Sequence, residues 1–283
     1  MKPITMIVTD LDGTLLNDRK KVTEKTKKAL HELKNRGILF GIASGRSVEA
    51  SLQFLSEWGI EKDISFLIGM NGSTFYDVRQ QKKEDTYLLD GETILEITDH
   101  FKQLPVTFYA MQGNHRYVNH STLASQTQAK QLCEEEIEVD FPTFLPNKRF
   151  NKLILTTSIE DMKAVVAIAQ TFSSSKYVGI QTEPHLFEYF DSRINKGVGI
   201  EKACQHFGVD LEHVVAFGDS LNDTEMLEKA GLGIAMANAH EKIKEVANQT
   251  STYTNEEDAL GNFIEEFLKT EQPARLWQDA NKK

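Results

Sequence analysis

Through the N-terminal quarter of the chain, short unbroken apolar runs alternate with segments of helical period. Residues 4–9 are continuous and β-branched, the pattern of a strand buried on both faces. Residues 23–36 place Ala29, Leu30 and Leu33 on one side of a helix, and Gly37 follows as its stop. A second buried strand is predicted over 38–43, a helix over 48–58 and a third strand over 65–69. Continuous apolar strands separated by helices point to a parallel sheet covered on both faces.

The rhythm then changes. Residues 73–89 read as two short strands around a polar, hairpin-like link at 78–85. From about 92 to 190 the pattern is helix, strand pair, helix, strand, helix, strand pair, with strand pieces at 106–111, 115–118, 152–157, 177–181 and 186–190. Alternating, hairpin-linked strands predict an antiparallel sheet with helices on one face. Beyond Asn195 the first rhythm returns: helix 197–207, strand 214–217, helix 223–230, strand 233–236, helix 240–247 and an amphipathic helix at 259–268. The fold class expected is α/β, a Rossmann-like parallel-sheet core interrupted by an inserted α+β cap domain. The boundaries drawn are 1–84 and 192–269 for the core, 85–191 for the insert and 270–283 for a polar C-terminal tail, in which Leu276 and Trp277 are the residues able to dock.

Composition narrows the picture. The length of 283 residues accommodates two domains, and 40% apolar residues with only 6 Pro exclude a disordered chain. A net charge of −10 argues against broad nucleic-acid binding, which needs clustered cations. Cys133 and Cys204 lack metal-type spacing and are read as reduced thiols. No signal peptide and no apolar run of membrane length are seen, so a soluble cytoplasmic protein without a membrane partner is expected.

In an open parallel sheet, ligands sit beyond the carboxyl ends of the strands. Reading only those ends gives Asp10-Leu11-Asp12-Gly13-Thr14 after the first strand, Ser44-Gly45-Arg46 after the second, and Gly218-Asp219-Ser220-Leu221-Asn222-Asp223 after residues 214–217. Lys196 opens the helix that leads into the last. Alone, Asp12-Gly13 is a turn pair, the 218–223 run a helix cap, and Lys196 a surface lysine. Together and in this order they converge. Asp10, Asp12, Asp219 and Asp223 are expected to gather, and each close like-charged pair costs about 4 kcal/mol at an effective dielectric of 20. Such a cluster calls for a cation. Oxygen donors without His or Cys select Mg2+. An ionised Asp10 can attack phosphorus, Asp12 can protonate the leaving oxygen and later activate water, and Lys196 with the Ser44 hydroxyl can stabilise the transferring oxygens.

The segments 10–16, 44–46, 195–197 and 218–223 resemble the four motifs of the haloacid dehalogenase superfamily, and more narrowly its Cof-type phosphatases with a type IIB α/β cap. Gly69-Met70-Asn71-Gly72 and residues 233–238 add to the likeness. The resemblance implies that Asp10 is the nucleophile and a magnesium ligand. Asp12 is implied as acid/base, giving the metal its backbone carbonyl, and Asp219 as the third protein ligand. Leu11, Ser44, Gly45, Lys196 and Asn222 are implied to hold phosphate, Asp223 to act from behind the ligands, and Thr14 to support the loop around Asp10. Two departures stand out: Ser44 where Thr is frequent, and Glu257-Asp258-Ala259 for a commoner Glu-Asp-Gly. The function expected is hydrolysis of small phosphomonoesters, sugar phosphates foremost, through an aspartyl-phosphate. A phosphomutase or phosphotransferase, and a phosphorylation-switched signalling protein, remain as alternatives. Two features are read as ordinary. Glu134-Glu135-Glu136 with Glu138 and Asp140 is a solvated acidic face, and Asn114-His115-Arg116 is a hairpin tip. No oligomeric state follows from the sequence.

Overall fold

The computed structural model describes residues 3–270 and, as backbone only, the strand at 277–279. The rest of the expected 270–283 tail, Leu276 included, lies outside the described residues, and Thr270 itself closes a helix. The chain forms two compact units, one from the segments before Asp85 and after Ile194, the other from Asp85–Ile194.

The first unit is built on one large sheet. Six strands run parallel in the order Gln249–Ser251, Leu232–Ala235, Val214–Gly218, Met6–Thr9, Leu39–Ala43 and Phe66–Gly69. Thr74–Asp77 and Lys82–Asp85 extend one edge, the former antiparallel to its neighbour, and residues 277–279 lie antiparallel on the other edge. The central strand Met6–Thr9 is buried throughout, as its unbroken apolar pattern requires. Helices start and stop where their caps dictate. Thr23 accepts a hydrogen bond from Thr26 N–H before helix Glu24–Asn35, and Ser47 does the same for Ala50 before Val48–Trp58. Gly59, at φ 70°, ends the latter in the left-handed conformation. The core joins both helix layers to the sheet, with Phe217 and Phe263 packed edge to face at 5.0 Å.

Among the strands that the sequence pattern does not predict, three show why. Lys82–Asp85 lies within the predicted polar link; an edge strand of exposed Lys, Glu and Asp has no apolar alternation to announce it. Gln249–Ser251 is polar and short. The third lies in the inserted unit, where Glu135–Glu138 pairs in parallel with His115–Val118.

That unit has its own six-stranded sheet, in the order Tyr177–Glu183, Leu186–Asp191, Lys152–Thr156, Thr107–Gln112, His115–Val118, Glu135–Glu138, antiparallel except for the last pair. One face packs Leu153, Leu155, Phe187 and Tyr189 against Ile94 and Ile97 of helix Gly91–His100 and Phe101 at its C-terminal end. Near its exit, Ser192 donates from its amide to Lys176 O and from its hydroxyl to Ser175 O, so the segment past residue 191 belongs to this unit. The acidic run is not a wholly solvated face. Glu134 and Glu136 have side chains only 15% and 2% exposed, gathered around the buried Arg116 guanidinium. Arg116 therefore sits inside the unit, over the Tyr109 ring at 3.9 Å, and not at a hairpin tip. Both cysteines are free thiols. Among the described residues no helix is long and apolar enough to cross a membrane.

Candidate active site

Buried apolar strands carry no polar side chains to work with, so chemistry gathers where they end. The chain winds outward from Met6–Thr9 through its second and third strands. After the insert it returns to Val214–Gly218 on the other side of the first strand. That reversal is the sheet's switch point, and Asp10 and Asp219 leave the two strands that flank it. Asp10 N–H donates to Phe217 O at 2.9 Å, fixing the two strand ends together.

Asn195 caps helix Lys196–Phe207 by accepting from Val198 N–H at 2.9 Å, which points Lys196 back toward the strand ends. The Lys196 side chain is fully buried. Its ammonium donates to Asp10 Oδ1 and, at 2.5 Å, to Asp223 Oδ1. The other Asp223 oxygen accepts from the amides of Asp219 and Ser220 at 3.0 and 2.9 Å. Asp223 thereby holds Lys196 and the 219–220 turn together. Thr14 donates its hydroxyl to Asp219 Oδ1 at 2.7 Å, locking the first loop to the last. Gly13, at φ 86°, makes room for this: a Cβ there would stand 2.6 Å from an Asp219 oxygen.

Carboxylate oxygens of Asp10, Asp219 and Asp223 lie within 4.8 Å of one another. Burial, with the charges of Asp223 and Asp219 added and that of Lys196 opposing, pushes the Asp10 carboxyl up to about 8. Burial also raises Asp219. Burial works against the charge of Lys196, yet Asp10 and Asp223 outweigh it and hold the ammonium above the ordinary lysine range. Three carboxylates against one lysine leave an uncompensated negative charge among hard oxygen donors. That set fits a divalent cation such as Mg2+.

One expectation is corrected. The Asp12 carboxylate does not join the cluster. It faces Arg46 and Lys20, which donate to it at 2.9 and 2.7 Å. Burial raises its pKa, but the Lys20 hydrogen bond and the Arg46 charge prevail and hold it below the usual carboxylate range. The reason is loop shape: the turn after Asp10 sends the next carboxylate toward the 44–46 loop.

Ser44 is buried at the end of its strand, its amide bonded to Ile68 O at 2.8 Å and its hydroxyl accepting from Arg46 N–H at 3.2 Å. Sequence reasoning gave Asn71 no role in the site, yet it joins two of the named loops. Its amide donates to Ser44 O at 3.0 Å, and its Oδ1 accepts from Asn222 Nδ2 at 3.1 Å. Met70, Asn71 and Gly72 are successively left-handed, at φ 51°, 56° and 110°. The signal available was the Asn-Gly pair directly after a predicted strand. Leu11 is fully buried, its carbonyl accepting from Leu16 N–H at 2.9 Å. The Ala259 departure is benign, because the left-handed position is Asp258, at φ 59°, and Ala259 begins the helix.

Carboxylates and a buried lysine at the switch point of a parallel sheet define an α/β enzyme. The sequence model of the haloacid dehalogenase-like hydrolases matches residues 7–264. A haloacid dehalogenase-like hydrolase from Bacteroides thetaiotaomicron shares the fold with a TM-score of 0.81, at 24% identity over 93% of this chain and 99% of that one. The HAD subclass IIB sugar phosphatase BT4131 gives 0.77, at 23% identity over 93% and 98%. The 5-amino-6-(5-phospho-D-ribitylamino)uracil phosphatase YcsE of Bacillus subtilis is 29% identical over 266 residues, 94% of this chain and 96% of its own length. The chain belongs to the haloacid dehalogenase-like hydrolases.

Proposed function

We propose that the protein is a magnesium-dependent phosphatase of small phosphomonoesters, foremost sugar and polyol phosphates, working through a phosphorylated Asp10. The observation that carries this reading is the buried cluster in which Lys196 is shared by Asp10 and Asp223 while Asp219 adds a third carboxylate. YcsE, named for a phosphoribityl compound, supports an alcohol phosphate as the substrate class.

Asp10 and Asp219, with the Asp12 carbonyl, would hold Mg2+. When bound, the ion offsets the carboxylate charge and draws the substrate phosphate to the cluster. Asp10 Oδ attacks phosphorus in line while Lys196, fixed by Asp223, neutralises charge on the transferring oxygens. The Ser44 hydroxyl and the Leu11 and Gly45 amides cradle the phosphate, and Asn222 is held toward it by Asn71. Asp12 must gain a proton against the pull of Arg46 and Lys20 before it gives one to the departing oxygen, whereas its ionised form serves directly as the base for water when the phosphoenzyme breaks down. The insert serves as the cap that the family likeness implies.

Phosphate release measured across sugar phosphates, nucleotides and cofactor phosphates, with and without Mg2+, tests the reading. Metal-dependent release from sugar phosphates is expected. Transfer of the phosphate to a second hydroxyl, with none set free, would instead establish a phosphotransferase.

A further inference from the structure

Asp12 is gripped by cations of two different kinds. The Arg46 guanidinium spans the carboxylate: Nε donates to Oδ2 at 3.2 Å, and Nη2 donates to Oδ1 at 3.0 Å and Oδ2 at 2.9 Å. Lys20 Nζ adds one contact to Oδ1 at 2.7 Å. Arg46 is a fixed arm. Its amide is bonded to Ser44 Oγ and its carbonyl accepts from Met70 N–H at 2.9 Å, while the guanidinium lies over the Phe54 ring at 5.6 Å. Lys20 is 62% exposed and meets Asp12 through one contact; it helps to keep the carboxylate charged, but one exposed ammonium does not fix where the group points. A planar fork on two carboxylate oxygens sets direction; a single ammonium does not.

We infer that Arg46 is a positioning residue of the reaction: it aims the Asp12 carboxyl group at the oxygens that leave and attack. The inference rests on the reading of Asp12 as acid/base. In the first half-reaction the Asp10 oxygen bonds to phosphorus as the ester P–O bond breaks, and the Asp12 proton passes to the departing oxygen. In the second, water oxygen bonds to phosphorus as the bond to Asp10 breaks, and the water proton passes to Asp12. Both transfers need the same carboxyl in the same place. Arg46 provides that place without touching substrate.

The experiment compares wild type, Asp12→Asn, Arg46→Gln and Arg46→Lys, each with Mg2+. The substrates are the sugar phosphate that wild type hydrolyses fastest and p-nitrophenyl phosphate. Nitrophenolate departs without a proton, so only the alkyl ester needs the acid in the step that kcat/KM reports. In both Arg46 variants kcat/KM for the sugar phosphate falls about 10- to 100-fold, the scale of a misaimed group. For p-nitrophenyl phosphate kcat/KM stays near wild type, while kcat falls and a nitrophenol burst precedes a slow steady state. Lysine keeps the charge but not the fork, so it does not rescue. Equal losses with both esters, or full rescue by lysine, would overturn the inference. If Asp12→Asn itself does not discriminate between the esters, the acid/base reading fails. If it does and the Arg46 variants do not, only the role of Arg46 fails. Circular dichroism confirms folding, and Arg46→Lys carries the test should Arg46→Gln misfold.

Discussion

Both units bury charge, and they do so to opposite ends. In the inserted unit Arg116 lies 3.2 Å from Glu134 and 3.6 Å from Glu136, and Lys152 donates to Glu188 at 2.7 Å. Glu136 also accepts from the hydroxyls of Ser121 and Ser125, each at 2.6 Å. Two cations there face three carboxylates, so that group too is one positive charge short, but it lies within the insert and not at the strand ends of a switch point. In the core, one lysine faces three carboxylates and the deficit stands at the ends of two parallel strands. Burial of charge does not by itself mark a reactive site, since ion pairs also serve as structure. Imbalance at a switch point does.

The comparison breaks first at Asp10. Asp10→Asn removes the nucleophilic charge with little change of shape, so phosphate release should fall by at least about 10³-fold with an unchanged circular dichroism spectrum. Full activity would end the covalent mechanism. Chelation should come next: EDTA silences the enzyme and Mg2+ restores it, whereas activity indifferent to EDTA would show that the core's charge deficit needs no ion. In the insert the corresponding injury is to stability. Arg116→Met strands two buried carboxylates and should cost about 3–5 kcal/mol in urea unfolding. Adding Glu134→Gln and Glu136→Gln should recover much of that loss; no recovery would mean that Arg116 acts through packing on Tyr109.

The smallest effect concerns pH and the metal-free protein. Asp10 is raised from 3.8 to about 8, so the folded state keeps a proton that the unfolded chain has released. Its contribution to stability is complete below the ordinary carboxylate value and is lost as pH rises through about 8. Asp219, also raised, acts with the same sign. Stability without metal should therefore decline across that window, by at most about 1.4 kcal/mol per pH unit for each proton, and the melting temperature should fall with it. Saturating Mg2+ should flatten the decline, and a metal-free profile already flat would contradict the electrostatic account of the cluster.

The strand ends made most of the core legible. Asp10, Ser44 and Asp219 stood out because apolar runs stop where ligands bind, Lys196 because it opens the helix that leads into the last of those strands, and the structure brings Asp10, Lys196, Asp219 and Asp223 together. The direction of Asp12 was not legible. It depends on the path of the loop that carries Lys20, at φ 57°, and on the reach of Arg46. Asn71 escaped for a similar reason, since its contacts arise from a left-handed turn that the Asn-Gly pair permits but does not dictate. Among the strands, Glu135–Glu138 was hidden by its own acidity. Three of its four residues are Glu, and what holds them is a backbone ladder and an arginine drawn from the neighbouring strand.

The break in the core has a consequence for synthesis on the ribosome. Met6–Thr9 is a central strand, yet its partner Val214–Gly218 emerges only after the whole insert has been made. At 5–20 residues per second, roughly 110 inserted residues take about 6–20 s. Throughout that interval one edge of the central strand lacks its native neighbour, a template for wrong pairing. The insert, with a separate apolar cluster around Phe101 and Tyr189, is able to collapse during the wait. The nascent chain thus reaches the end of that time with a complete insertion and half a parallel sheet, and Lys196 arrives among the first residues of the half that completes it.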